Sequence, residues 1–103
     1  MRSILTEKRE EIEGLCRRYG VARLEVFGSA VEGPFDESSS DIDFLVEYRP
    51  DANLGPWMAE YFHLKEDLEK LVCRSVDLVM VGALKNPYFI REVNRTRRLL
   101  YAA

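Results

Sequence analysis

Hydrophobic positions recur along this chain with two different periods. From Ser3 to Tyr19, the residues Leu5, Ile12, Leu15, Cys16 and Tyr19 return at helical spacing with charges between them, which predicts an amphipathic helix. Gly20 stands where such a helix would stop. Arg23 to Phe27 then reads as a strand, ended abruptly by Gly28-Ser29. Gly33 to Ser40 is loop by composition, and Asp41 to Tyr48 is a second strand in which Ile42, Phe44 and Val46 alternate with Asp41, Asp43, Leu45 and Glu47. Arg49 to Asn53 is a turn. A helix is predicted to follow as far as about Val72, with Pro56 near its first turn and Trp57, Tyr61, Leu64, Leu68 and Leu71 as one apolar stripe belonging to the core. Val76 to Val81 is a third strand. Asn86-Pro87 reads as an N-cap followed by proline at the first helical position, opening a helix to about Thr96. Arg98 to Tyr101 is a short last strand.

With a short helix expected after Gly28-Ser29, the order is α-β-(α)-β-α-β-α-(β). Strands separated by helices predict an α/β (α+β) protein, a small mixed sheet flanked by helices. The connection between the second and third strands is long enough to hold a helix and allow a parallel crossover, whereas the loop between the first and second allows either direction. No repeat and no linker interrupts the pattern, so all 103 residues are assigned to one domain.

Composition narrows the class. Apolar residues make up 47% and charged residues 32%, the balance of a globular protein. No apolar run approaches the roughly 20 residues that span a bilayer. The first residues turn acidic too soon for a signal peptide, so a cytoplasmic location without membrane attachment is expected. Cys16 and Cys73 have no metal-binding spacing and read as unpaired thiols. The net charge is −3 and unevenly spread. Acids dominate from Glu32 to Asp51, and bases (Lys85, Arg91, Arg95, Arg97, Arg98) dominate after Ala83. That asymmetry suits a site for cations and a polyphosphate, although an ordinary mixed-charge surface gives the same pattern, and it does not suggest direct nucleic-acid binding.

Three features carry candidate chemistry. Gly28-Ser29 directly after a strand lets the backbone turn tightly and present N–H groups and a hydroxyl to a phosphate, although the same pair also makes an ordinary turn. Asp41 and Asp43, two apart on a strand, share a face, and such neighbouring carboxylates repel unless water or a hard cation such as Mg²⁺ separates them, although a solvated strand edge, or Asp41 as a turn cap, gives the same pattern. Asp77 lies between apolar strand residues, where a buried acid would need a partner or a metal, whereas a surface-facing one would need neither.

Together they are more specific than apart. The stretches Val26-Phe27-Gly28-Ser29, Ser40-Asp41-Ile42-Asp43-Phe44-Leu45-Val46 and Val76-Asp77-Leu78-Val79, with the tail from Asn86-Pro87-Tyr88 to Leu100-Tyr101, resemble the minimal nucleotidyltransferase (MNT) family of the polymerase β-like nucleotidyltransferases. The resemblance implies the nucleotidyltransferase fold. It implies Asp41, Asp43 and Asp77 as catalytic carboxylates holding two Mg²⁺ ions, and Gly28 and Ser29 as the grip on the triphosphate of ATP. It further implies an antitoxin that moves AMP from ATP to a tyrosine of a HEPN-domain toxin. The sequence departs from the family in an eleven-residue spacer, Ala30 to Ser40, one longer than usual, and in Glu32 where arginine is common. Glu32 favours an alternative, the same fold neutralising a toxin by contact with weak or no catalysis. Transfer to a small molecule is a third reading, disfavoured because no second domain is left to shape an acceptor pocket. His63 is expected on a helix surface, and Lys85 and Arg91 in surface salt bridges. The oligomeric state is left open.

Overall fold

A computed structural model describes residues 4–28, 31 and 41–103. The chain opens with α1 (Ile4–Glu7) and α2 (Arg9–Arg18), which together occupy the span predicted as one helix. The backbone departs at Lys8, with φ −102° and ψ 13°, yet Lys8 N–H still reaches the Ile4 carbonyl and Ile12 N–H the Lys8 carbonyl. The expected apolar side is turned inward, with Leu5, Ile12 and Cys16 buried. Gly20 follows with φ +72°, a left-handed conformation that a side chain would disfavour.

The sheet has four strands: β1 (Val21–Phe27), β2 (Ile42–Tyr48), β3 (Val76–Met80) and β4 (Arg98–Ala102), in the order β3-β2-β1-β4. β1 runs antiparallel to both β2 and β4, while β2 and β3 are parallel, so the sheet is mixed. The crossover from β2 to β3 carries α3 (Ala59–Val72). One sheet face supplies Leu24, Val26, Ile42, Phe44, Val46, Val76 and Leu78 to the main core, where they meet Ile12 and Cys16 of α2 and Leu64, Leu68 and Val72 of α3. Burying these side chains is the dominant driving force for the fold, at about 1.5–3 kcal/mol for each large aliphatic residue.

The other face is covered by α4 (Pro87–Thr96), whose Val93 packs on Phe27 and Leu45, with Val79 and Leu84 alongside. The predicted cap is present: the Asn86 side chain accepts from the N–H groups of Tyr88 and Phe89. Phe89 adds an edge-to-face contact with Phe27 at 5.8 Å between ring centres.

The expected apolar stripe is shortened. Leu64 and Leu68 are buried and Tyr61 and Leu71 half-buried, but Trp57 is 95% exposed and lies outside the core. A stripe needs unbroken helical phase, and Pro56–Met58 is a separate 3-10 turn in which Trp57 and Met58 adopt φ +55° and +57°. β3 likewise ends at Met80, because Val81 begins the 3-10 turn Val81–Ala83. The short helix expected after Ser29 falls outside the described residues. His63 is exposed, as expected, beside Glu60. Cys16 and Cys73 are both unpaired.

Candidate active site

Strand alternation turns Asp43 and Asp77 away from the main core, because their neighbours Ile42, Phe44, Val76 and Leu78 face into it. The parallel register sets Asp43 directly opposite Asp77. Two acids separated by 34 positions in sequence therefore stand side by side on the face that also carries α4. Asp41 precedes β2 and is exposed; Asp43 is half-buried and Asp77 exposed.

The electrostatics follow from this crowding. The Asp43 carboxyl is pushed up from 3.8 to about 6, first by burial and then by the negative charges of Asp77 and Asp41. Asp77 and Asp41 thus both act on the Asp43 carboxyl. Among the described residues, however, no three His, Cys, Asp or Glu side chains form a ready-made metal cage.

Gly28 completes the geometry. β1 is paired so that Phe27 faces Asp43, which brings the next residue against the Asp43 carboxylate. Gly28 has φ +76°, and a Cβ there would lie 2.5 Å from the Asp43 Oδ2. Glycine is required twice over, by the backbone conformation and by the space. The Gly28 N–H does not point outward: it donates to Thr96 Oγ1 at 2.9 Å. What Gly28 brings to the site is close backbone approach. The Gly28 carbonyl accepts from Val31 N–H, closing a turn. Ser29 and Glu32 lie outside the described residues.

Sequence reasoning passed over three polar residues on this side of the sheet. Thr96 is 5% exposed at the end of α4. Glu25 is 3% exposed on β1 and is gripped by Arg97, through Nε at 2.7 Å and Nη2 at 2.6 Å, and by Arg23 Nε at 2.9 Å. Arg97 holds the Glu25 carboxyl below its usual range. A signal for Glu25 existed, since it sits between Leu24 and Val26 as Asp77 sits between Val76 and Leu78. Thr96, in a run of charged residues, offered none. Lys85 and Arg91 are exposed, but neither has the expected ion-pair partner among the described residues.

Comparison with known proteins reaches the same part of the chain. Residues 8–100 match the family model described as a nucleotidyltransferase domain. A protein adenylyltransferase, MntA, of Thermococcus cleftensis is 39% identical over 84 residues, covering 82% of this chain and 77% of that protein. A solved structure of a candidate minimal nucleotidyltransferase superposes with a TM-score of 0.72 at 32% identity, covering 94% of this chain and 95% of the other. The fold also matches a chain of the complex between a tri-AMPylated Shewanella oneidensis HEPN toxin and an MNT antitoxin, with a TM-score of 0.64 at 18% identity, over 94% of this chain and 71% of that one. With a family pattern running through nearly its whole length and a protein adenylyltransferase so similar to it, this chain belongs to the nucleotidyltransferase domain family, among its protein adenylyltransferases.

Proposed function

We propose that this protein transfers AMP from ATP to a tyrosine hydroxyl of a cognate HEPN-domain toxin, and so serves as the antitoxin of the pair. The observation that carries the reading is the side-by-side placement of Asp43 and Asp77, with Asp43 against the backbone of Gly28. The similarity to MntA supports the adenylyl donor and the protein acceptor. The HEPN–MNT complex among the fold matches supports the class of partner.

Asp41, Asp43 and Asp77 would hold two Mg²⁺ ions. The donor set fits: it is all oxygen, and Asp43 is a crowded carboxyl whose anionic form a cation would restore. An open set is suited to Mg²⁺, which fills much of its coordination shell with water and substrate phosphates rather than protein ligands. When bound, the ions supply charge neutralisation on the triphosphate and on the attacking and leaving oxygens.

The chain's own residues do the rest. Gly28 lets the triphosphate come close to the sheet, with the Ser29 hydroxyl as a donor to it. The acceptor hydroxyl attacks the α-phosphorus, forming a new P–O bond as the bond to the β-phosphate oxygen breaks and pyrophosphate leaves. Asp77, the exposed carboxylate on an edge strand, is open to the acceptor and takes the hydroxyl proton.

The test is Asp41→Asn combined with Asp43→Asn, which removes two charges at nearly constant size. Transfer of labelled AMP to the toxin should fall by at least about a hundredfold, with the fold retained. Cell protection is measured on the same variant. Full protection without detectable transfer would overturn the enzymatic reading and leave neutralisation by contact.

A further inference from the structure

Both backbone groups of Gly28 have partners among the described residues, Val31 N–H at its carbonyl and Thr96 at its N–H, and the second leads to α4. Gly28 N–H donates to Thr96 Oγ1 at 2.9 Å, and the Thr96 hydroxyl donates to the Glu92 carbonyl at 3.0 Å. The hydroxyl is thereby committed in both roles, as acceptor for the turn and donor to its own helix. It is 5% exposed, so water has little access to replace it. The residue at the other end of this bond is the one whose missing Cβ leaves room for the Asp43 carboxylate. α4 itself is seated by Val93 on Phe27 and Leu45, the residues beside Gly28 and Asp43 in the chain or along the strand.

We infer that Thr96 is a positioning residue for the nucleotide site: its hydroxyl fixes the Gly28 turn at the distance from Asp43 that the triphosphate needs. This rests on the nucleotide-binding role proposed above for Gly28 and Asp43. Thr96 touches no reacting atom. Its effect passes through one hydrogen bond to a backbone that has no side chain of its own to hold it in place. Valine keeps the shape and removes the hydroxyl, leaving the Gly28 N–H without an acceptor in a place that water reaches poorly. Serine keeps the hydroxyl.

The experiment compares Thr96→Val, Thr96→Ser and Val93→Ala with the parent, in the full chain. Val93→Ala is the control for general loosening, because it trims the buried seat of α4 and leaves the hydroxyl intact. Two quantities are read: the Kd for AMP-PNP with Mg²⁺, and the hydrogen-exchange rate of the Gly28 amide. Thr96→Val should weaken nucleotide binding about tenfold or more and speed Gly28 exchange, as expected when a hydrogen-bond partner is withdrawn from a poorly hydrated donor. Thr96→Ser should restore both. Val93→Ala should lower Tm with the Kd within about twofold of the parent, since it trims packing under α4 and leaves the Thr96–Gly28 hydrogen bond in place. A Thr96→Val protein with parental Kd overturns the inference while the nucleotide-site reading stands. So does a Val93→Ala protein that loses as much affinity as Thr96→Val, which would reduce Thr96 to one more packing residue. A parent that binds no Mg²⁺–AMP-PNP overturns the site reading itself, and the inference with it.

Discussion

Asp43 concentrates the chemistry of this protein in one side chain. A carboxyl raised to about 6 by burial and by Asp77 and Asp41 binds its proton more tightly in the folded chain than in the unfolded one. Its ionisation therefore works against the fold. The penalty is absent below about pH 4, grows as pH rises toward 6, and is constant above that. Without divalent cations, Asp43→Asn should stabilise the protein at pH 7 by on the order of 1–2 kcal/mol and change little near pH 4. Thermal melts in chelator at the two pH values check this. A variant less stable than the parent at pH 7 would mean that the three acids do not repel one another in the folded state. The same crowding explains why glycine stands at position 28: even one methyl group would displace the Asp43 carboxylate.

Among the elements, α4 and the turn after it do more than cover a sheet face. β1 lies inside the sheet, and its buried Glu25 takes two of its three charged hydrogen bonds from Arg97, which joins α4 to β4, and one from Arg23. Arg97 also donates to Asn94 at 2.7 Å, so the end of the helix, the turn and the interior strand are held at one point. Arg97→Met keeps the aliphatic stem and leaves Glu25 with Arg23 alone. Because one partner of a buried pair is removed, and because Arg97 is itself partly open to water, the loss should be about 2 kcal/mol at pH 7. Glu25 has a lowered carboxyl pKa, so the pair's contribution is present above the ordinary carboxylate range and disappears as pH falls through the lowered folded value. The difference between Arg97→Met and the parent in urea unfolding should accordingly shrink on acidification. A gap that stays constant from pH 7 to about pH 3 would assign the loss to packing instead.

For the whole molecule, the site is an assembly of segments far apart in sequence: the end of β1, the start of β2, the start of β3 and the last residue of α4. A ligand bridging them binds the folded chain and not the unfolded one, so it stabilises by mass action. ATP with Mg²⁺ at about a hundredfold above its Kd should add roughly 2.7 kcal/mol, on the order of 10 °C in Tm for a domain of this size. The Asp41→Asn, Asp43→Asn protein should show no such shift. A parent protein whose Tm does not respond to millimolar ATP with Mg²⁺ would argue for neutralisation by contact alone.

The sequence by itself determined what is local. The helix and strand spans, the Asn86 cap, the turn at Gly20, and the shared face of acids two apart all depend on neighbours within a few positions, and periodicity records these directly. Fold class and family were legible for the same reason, because Gly28, Asp41, Asp43 and Asp77 stand in motifs made of adjacent residues. Trp57 marks the limit of that reasoning. Its spacing matched the stripe, but two left-handed residues ahead of Ala59 broke the helical phase and turned it to solvent. Tertiary structure alone decided which strands pair and in what direction, and hence that Asp43 meets Asp77. It alone joined Thr96 to Gly28 across 68 positions and Arg97 to Glu25 across 72. Such pairings are chosen by the burial of whole faces against one another, a property of the assembled sheet and helices that no single stretch of the chain encodes.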